Sequence, residues 1–295
     1  MVRGVRKEYI AIVIGVISIS TAAVLVKLST APSSILAAYR MLFTVIILSV
    51  PTLIFNRKEF KTLTKKDLIY SFLSGIFLAF HFLAWFESLQ YTSVASSVVI
   101  VSLQPIFAMI GVYIFFKERI TRIELIGALL AVTGSIIIGW GDFKLGNQAI
   151  YGDILALLGA ALVTGYWLLG QNVRKRLSLL PYVLLVYCTS FVVLIIYNLI
   201  SNTNLIHYSI REWIIFIALA IIPTIFGHTA LNWAVKYLST TTISISILAE
   251  PIGASILAYI ILGEIILVTQ VIGGLVIILG ISIYLISLSS KKNLQ

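Results

Sequence analysis

YTSVASSVVIVSLQPIFAMIGVYIFFKERITRIELIGALLAVTG, residues 91–134, returns 146 positions later (237 − 91 = 146) as YLSTTTISISILAEPIGASILAYIILGEIILVTQVIGGLVIILG, residues 237–280. Tyr91, Ser93, Pro105, Tyr113, Glu118, Gly127 and Gly134 fall without a gap on Tyr237, Ser239, Pro251, Tyr259, Glu264, Gly273 and Gly280. Aliphatic matches between apolar segments carry little information, whereas Tyr, Pro, Glu and Gly in one register mark a duplicated unit. Duplication within strongly apolar sequence is a signature of secondary transporters.

The rest of the chain sets the physical class. Of 295 residues, 60% are hydrophobic and 11% charged, and the mean hydropathy is +1.08. That balance excludes a water-soluble domain. Apolar runs recur near the ~20 residues that cross a bilayer as a helix, not as the ~10-residue alternating segments of a membrane barrel. Their approximate limits are 9–28, 34–55, 68–89, 94–116, 123–140, 151–171, 181–200, 213–235, 241–262 and 268–288. The expected fold class is therefore all-α: a polytopic membrane protein with ten transmembrane helices in two inverted five-helix repeats, divided as 1–145 and 146–295. The first span follows a basic start, Arg3 to Lys7, without a small-residue cleavage site, and reads as a retained helix.

Of the 21 Lys and Arg residues, 17 sit in alternate inter-span segments, against Lys144 and Arg211 on the other side and Lys27 and Arg40 within spans. Short Lys/Arg-rich loops stay cytoplasmic, so both termini are expected on that side of a prokaryotic cytoplasmic membrane. The same bias explains the net charge of +10 without a nucleic-acid partner. Five crossings per copy make the second copy enter from the opposite face, placing the Glu118 loop inside and the Glu264 loop outside. The chain lacks a phosphate-binding G-x-x-x-x-G-K-[S/T] loop, so the driving energy is expected from a gradient. Cys188 stands alone and reads as a packing residue. No cofactor or metal is expected.

Ionisable groups inside spans are the informative exceptions, since charge at membrane depth marks a pathway or a partner. Glu250 lies mid-span before Pro251, and its repeat counterpart is Gln104 before Pro105. Proline removes a helical hydrogen bond, which exposes carbonyls and turns the preceding side chain toward a cavity. Glu250 is expected to exchange protons or meet a substrate amine. His81 and His228 occupy equivalent helices, and two isolated histidines are a weak metal signal. Trp85 follows His81 by one turn, Asn232 follows His228 by one turn, and Tyr166–Trp167 supply further rings. Together they suggest an aromatic, sparsely polar site for amino acids, amines or other amphipathic solutes. Arg40 has no basic counterpart; it either pairs with a carboxylate, binds an anion or snorkels outward. Gly127, Ala131 and Gly134 with Gly273, Gly274 and Gly280 read as close-packing positions.

His81 to Trp140, with AWFESLQYTSVASS and QPIFAMIGVYIFFKERITRIELIGALLAVTG, resembles the drug/metabolite transporter superfamily in its ten-helix EamA branch. The stretch from His228 through EPIGASILAYIILGEIILVTQVIGG to Gly280 resembles the same repeat, so nearly the whole chain is covered. The resemblance implies inverted five-helix repeats around a central cavity walled by helices 1, 3, 4, 6, 8 and 9. It implies export of amino acids, other metabolites or toxic compounds, commonly with a proton gradient. By position, His81, Trp85, Gln104, Tyr166, Trp167, His228, Asn232 and Glu250 become lining candidates, with Glu118 and Glu264 structural.

The expected function is secondary transport, outward, of a small organic metabolite by alternating access, possible without any enzyme chemistry. Expected partners are the small-molecule substrate, the lipid bilayer and protons, with the chain a monomer or weak homodimer. Two rivals stand. An uptake permease or anion/sugar-phosphate exchanger would use Arg40 or Lys27, and a polytopic membrane enzyme would need a convergent catalytic cluster that His81, His228 and Glu250 do not supply.

Overall fold

The computed structural model describes residues 7–92, 94–117, 119–139, 147–263 and 265–293. Ten helical spans order the described chain. They are α1 (Lys7–Leu28), α2 (Ser33–Phe55) and α3 (Lys65–Tyr91); α4, in segments Val94–Val101 and Gln104–Phe116; α5 (Arg122–Gly139) and α6 (Asn147–Val173). The second half continues with α7 (Leu179–Ile200), α8 (Ile210–Ala234), α9 (Thr240–Leu262) and α10 (Val268–Asn293). Nine stretches among the described residues meet the length and hydropathy of a membrane crossing. The tenth crossing is α5, 18 residues long, which packs along α10. Isoleucines and phenylalanines such as Phe55, Ile200 and Ile260 stand exposed on the outside of the bundle, as a lipid-facing surface requires. Glu118, Glu264 and Ser93 lie outside the described residues.

Local chemistry sets the helix ends. Thr64 caps α3 by accepting from the Asp67 amide at 3.2 Å while Asp67 accepts from the Thr64 amide at 3.2 Å, a reciprocal capping box. Three spans are broken. α1 kinks at Ser20–Thr21, α4 at Ser102–Leu103 and α9 at Leu248–Ala249. The last two are repeat equivalents (102 + 146 = 248), each just before a proline that opens the next segment, where its missing amide proton is no loss. In α8, Ala220–Thr229 winds as a π-helix around Pro223.

The copies are related by inversion, as the α5–α10 seam shows. A Cβ on Gly134 would lie 2.6 Å from the Gly273 carbonyl oxygen, and one on Gly280 would lie 2.6 Å from that of Gly127. The helices therefore run antiparallel, and each contact is the image of the other under the exchange 127↔273, 134↔280. Neither repeat packs as a body of its own. α3 packs along α6 and α7, and α8 along α1 and α2, so the repeats interlace and any rocking unit must draw helices from both.

Candidate functional site

The two breaks aim the residues that follow them. The carbonyl just before each proline is met by a hydroxyl from the other repeat. Ser20 Oγ in α1 reaches the Glu250 carbonyl and Thr164 Oγ1 in α6 the Gln104 carbonyl, both at 3.3 Å, while each hydroxyl also donates within its own helix at 2.8 Å. The Gln104 and Glu250 side chains turn onto one cavity between the repeats.

That cavity has a volume of about 30 Å³ and is lined by His81, Trp85, Gln104, Trp167, His228 and Glu250 with six apolar or alanine side chains. The volume admits one or two waters. His81 Nδ1 sits 2.9 Å from the Gly159 carbonyl; a carbonyl only accepts, so this nitrogen holds a proton. The His81 ring stacks on Trp85 at 5.7 Å and the His228 ring on Trp167 at 5.6 Å. Trp85 Nε1, Trp167 Nε1, His228 Nδ1 and Gln104 Oε1 are buried without a hydrogen-bond partner among the described residues. Glu250 is 5% exposed and makes no ion pair among the described residues.

The expected residues do not all face the cavity. Six of the eight lining candidates do. Tyr166 and Asn232 stand behind the wall, where Asn232 Nδ2 donates to the Tyr166 hydroxyl and, at 2.8 Å, to the His228 carbonyl; they fix the position of His228. Arg40 does not snorkel. Its side chain is fully buried at 0% exposure, with Nε donating to Thr224 Oγ1 at 2.6 Å and Cζ 4.2 Å above the Phe82 ring. Lys27 Nζ donates to the Leu89 carbonyl at 2.5 Å, and Cys188 is half-buried.

Other contributors escaped the sequence reading. Tyr187 donates to or accepts from Thr229 Oγ1 at 3.1 Å, and Tyr182 pairs with Ser74 Oγ at 2.8 Å. Tyr187 lies well inside its span, where a tyrosine needs a buried partner for its hydroxyl, and that depth is the signal that could have found it; Tyr182, in the first turn of α7, carries no such signal. Arg174, just beyond α6, donates from Nε to the Asn232 carbonyl at 3.1 Å, and burial pushes its guanidinium below the usual arginine range. Among the described residues no three His, Cys, Asp or Glu side chains converge to hold a metal.

Two further spaces flank the site. A polar vestibule of about 480 Å³, on the face away from the chain ends, is lined by groups including Ser29, Thr30, Ser34, Glu87, Tyr151 and Tyr197. An apolar cleft of about 720 Å³ lies between α1, α9 and α10. Neither includes the histidines or Glu250.

The comparisons with known proteins agree with this architecture. A solved crystal structure of a protein superposes with a TM-score of 0.76 at 16% identity, covering 94% of this chain and 96% of its own, a likeness of fold. An uncharacterized transporter of Bacillus subtilis, YxxF, is 25% identical over 264 residues, 89% of this chain and 84% of that protein. Mouse solute carrier family 35 member G1 is 26% identical over 164 residues, 51% and 44% of the two chains. The EamA-like transporter family matches residues 6–140 and 150–286, one match on each copy of the repeat. With a match on both halves of a membrane bundle whose repeats are inverted, the chain belongs to the EamA-like transporter family.

Proposed function

We propose that this transporter exports a small organic solute across a prokaryotic cytoplasmic membrane by alternating access, exchanging it for protons at Glu250. The observation that carries the reading is the convergence of side chains from both repeats on a small buried cavity lined by a single carboxylate. A buried carboxylate without an ion-pair partner is costly at membrane depth unless it works as a proton or cation site. The stacked rings beside it suit a solute with apolar bulk and few polar groups. With the basic loops inside, the vestibule faces outward.

The packing suggests what moves. α3 packs along α6 and α7, α8 along α1 and α2, and α2 along α7, so helices of both repeats must shift together. Polar clasps join α1 to α3 on one face and the end of α6 to α8 and α9 on the other. On the vestibule face, Lys27 at the end of α1 holds the Leu89 carbonyl of α3. On the face of the chain ends, Arg174 holds the Asn232 carbonyl of α8, and Gln171 Oε1 accepts from the Thr240 amide of α9 at 2.6 Å. Lys27 and Arg174 are repeat equivalents within one residue (27 + 146 = 173).

A growth-rescue screen with toxic amino acids, amines and dyes would identify the solute. In proteoliposomes with an imposed pH gradient, Glu250→Gln is expected to cut gradient-driven flux of that solute at least about tenfold. Unaltered flux would sink the role of Glu250.

A further inference from the structure

The apolar cleft between α1, α9 and α10 owes its existence to a difference between the two copies of the repeat. Its floor carries Ser20, Ser246, Ala249 and Gly253. At the matching positions, 146 residues away (253 − 107 = 146), the other copy has Tyr166, Ile100, Leu103 and Phe107. There α6 packs along both segments of α4, with Tyr166 fully buried and Phe107 packed against the core. Around the cleft those four side chains are cut back, and a space of about 720 Å³ stays open. Larger residues return toward the rim, where Val13, Leu257 and Ile281 stand in place of Gly159, Gly111 and Ser135.

The cleft opens on the bilayer. Val13, Ile17, Ile256 and Ile278 at its edges are exposed and continue the lipid-facing surface, so hydrocarbon bounds its mouth. Its walls have nothing for a polar solute. Ser20 Oγ and Ser246 Oγ already donate to the Val16 and Thr242 carbonyls of their own helices at 2.8 and 2.9 Å, and every other lining side chain except Tyr9 is apolar.

Dimensions and charge select the occupant. From Tyr9 to Ser20 the cleft follows α1 for eleven residues (20 − 9 = 11), or ~17 Å, close to one leaflet's share, ~15 Å, of the ~30 Å hydrocarbon core. A further helix ~10 Å across, laid along that length, would fill about 1,300 Å³, nearly twice the room. A lipid chain is thin enough to enter. At the end nearest the chain termini, exposed Lys7 opens α1 two residues before Tyr9, and Lys291 and Lys292 fall in the last turn of α10. Glu8 is the acid beside them. Three cations against one acid suit an anionic headgroup, with Tyr9 at the interface.

We propose that the cleft binds one anionic phospholipid of the leaflet at the chain ends, its acyl chain lying along α1, α9 and α10 and its headgroup beside Lys7. The tip of the chain packs on Ser20, whose hydroxyl meets the Glu250 carbonyl. The lipid thereby becomes part of the wall behind the central cavity, in the place that Tyr166 and Phe107 fill in the other copy.

Native mass spectrometry of the purified full chain in mild detergent, delipidated and then titrated with dioleoyl phosphatidylglycerol or dioleoyl phosphatidylcholine, tests it. One phosphatidylglycerol per chain is expected to bind at least about fivefold more tightly than phosphatidylcholine, the gain of one engaged lysine. Ser246→Ile combined with Ala249→Leu, which restores the side chains of the other copy, should weaken that lipid at least about tenfold. If this pair fails to fold, Ile17→Trp, a plug on the exposed edge, should do the same, while Ile200→Trp on the bare face of α7 leaves the lipid bound. No bound lipid, equal affinity for the two lipids, or binding indifferent to both the filling and the plug overturns the proposal. So does a dimer that the same substitutions dissolve, which would give the cleft to a second copy of the chain.

Discussion

At the scale of single residues, the cost of burying Arg40 is spread over very few contacts. One hydroxyl, Thr224 Oγ1, accepts from its Nε, while Thr224 itself donates to the Leu219 carbonyl at 2.7 Å. Thr224→Val keeps the volume and removes the acceptor, leaving a third buried guanidinium nitrogen unpaired beside Nη1 and Nη2. It is expected to destabilise the protein by about 1.5–3 kcal/mol, read as a lowered unfolding midpoint in detergent. The residue scale is also where the sequence was most and least legible. Glu250 and Gln104 announced themselves because a polar residue before a mid-span proline has few structural explanations, and both reach the cavity. Tyr166 and Asn232 share the period of their cavity-lining neighbours, yet they bond each other behind the wall. Periodicity assigns a face of a helix but not the rotation of that helix against its neighbours. The depth of Arg40 was readable and its direction was not, since a long side chain reaches either way along α2.

At the scale of elements, the α5–α10 seam is held by the absence of side chains. A Cβ on Gly280 would lie 2.4 Å from the Ala131 backbone nitrogen and one on Gly127 2.7 Å from that of Tyr284, so neither position tolerates a larger residue without moving a backbone. Gly280→Val is expected to cost about 1–3 kcal/mol by overpacking, while Gly263, whose Cβ position is open but whose φ is +72°, would report backbone strain instead. Thermal unfolding of Gly280→Val beside an exposed α10 control such as Leu275→Val separates the seam from general loss of bulk. The small-residue spacing in the sequence pointed to this contact. The antiparallel register did not follow from that spacing alone; it followed from the odd number of crossings per copy, which inverts the second copy. The π-turn around Pro223 had no sequence signal beyond the proline itself, because a proline can equally kink or end a helix.

At the scale of the molecule, the two faces are closed unequally. Arg174 and Gln171 clasp the face of the chain ends, with the Trp167 carbonyl also accepting from Thr240 Oγ1 at 3.2 Å. Their repeat counterparts on the vestibule face are Leu28, Leu25 and Val94, which offer no polar side chain. That face is held instead by Lys27 and by Ser34 of α2 against Asn198 of α7, Ser34 Oγ donating to Asn198 Oδ1 at 2.7 Å and Asn198 Nδ2 to the Ser34 carbonyl at 3.2 Å. Cysteine accessibility in membrane vesicles should show the difference: Lys27→Ala raises labelling of a Ser34→Cys probe, whereas Arg174→Ala lowers it by shifting the population toward the opposite face. Equal responses to the two substitutions would contradict the asymmetry. Composition made the ten-span bundle legible in advance, and the repeat made its inversion legible. The interlacing of the repeats was not legible, because it arises from helix-to-helix contacts that no periodicity within one helix encodes.

The mirrored glycine contacts of α5 and α10 carry one last implication. A pair of contacts that are images of each other is what joins two identical subunits, and a homodimer built on them would line the central cavity with two glutamates or none. Joined end to end in one polypeptide, the halves are free to diverge. A single carboxylate, Glu250, can then face an amide, Gln104, across one cavity, an asymmetry that no pair of identical halves could possess.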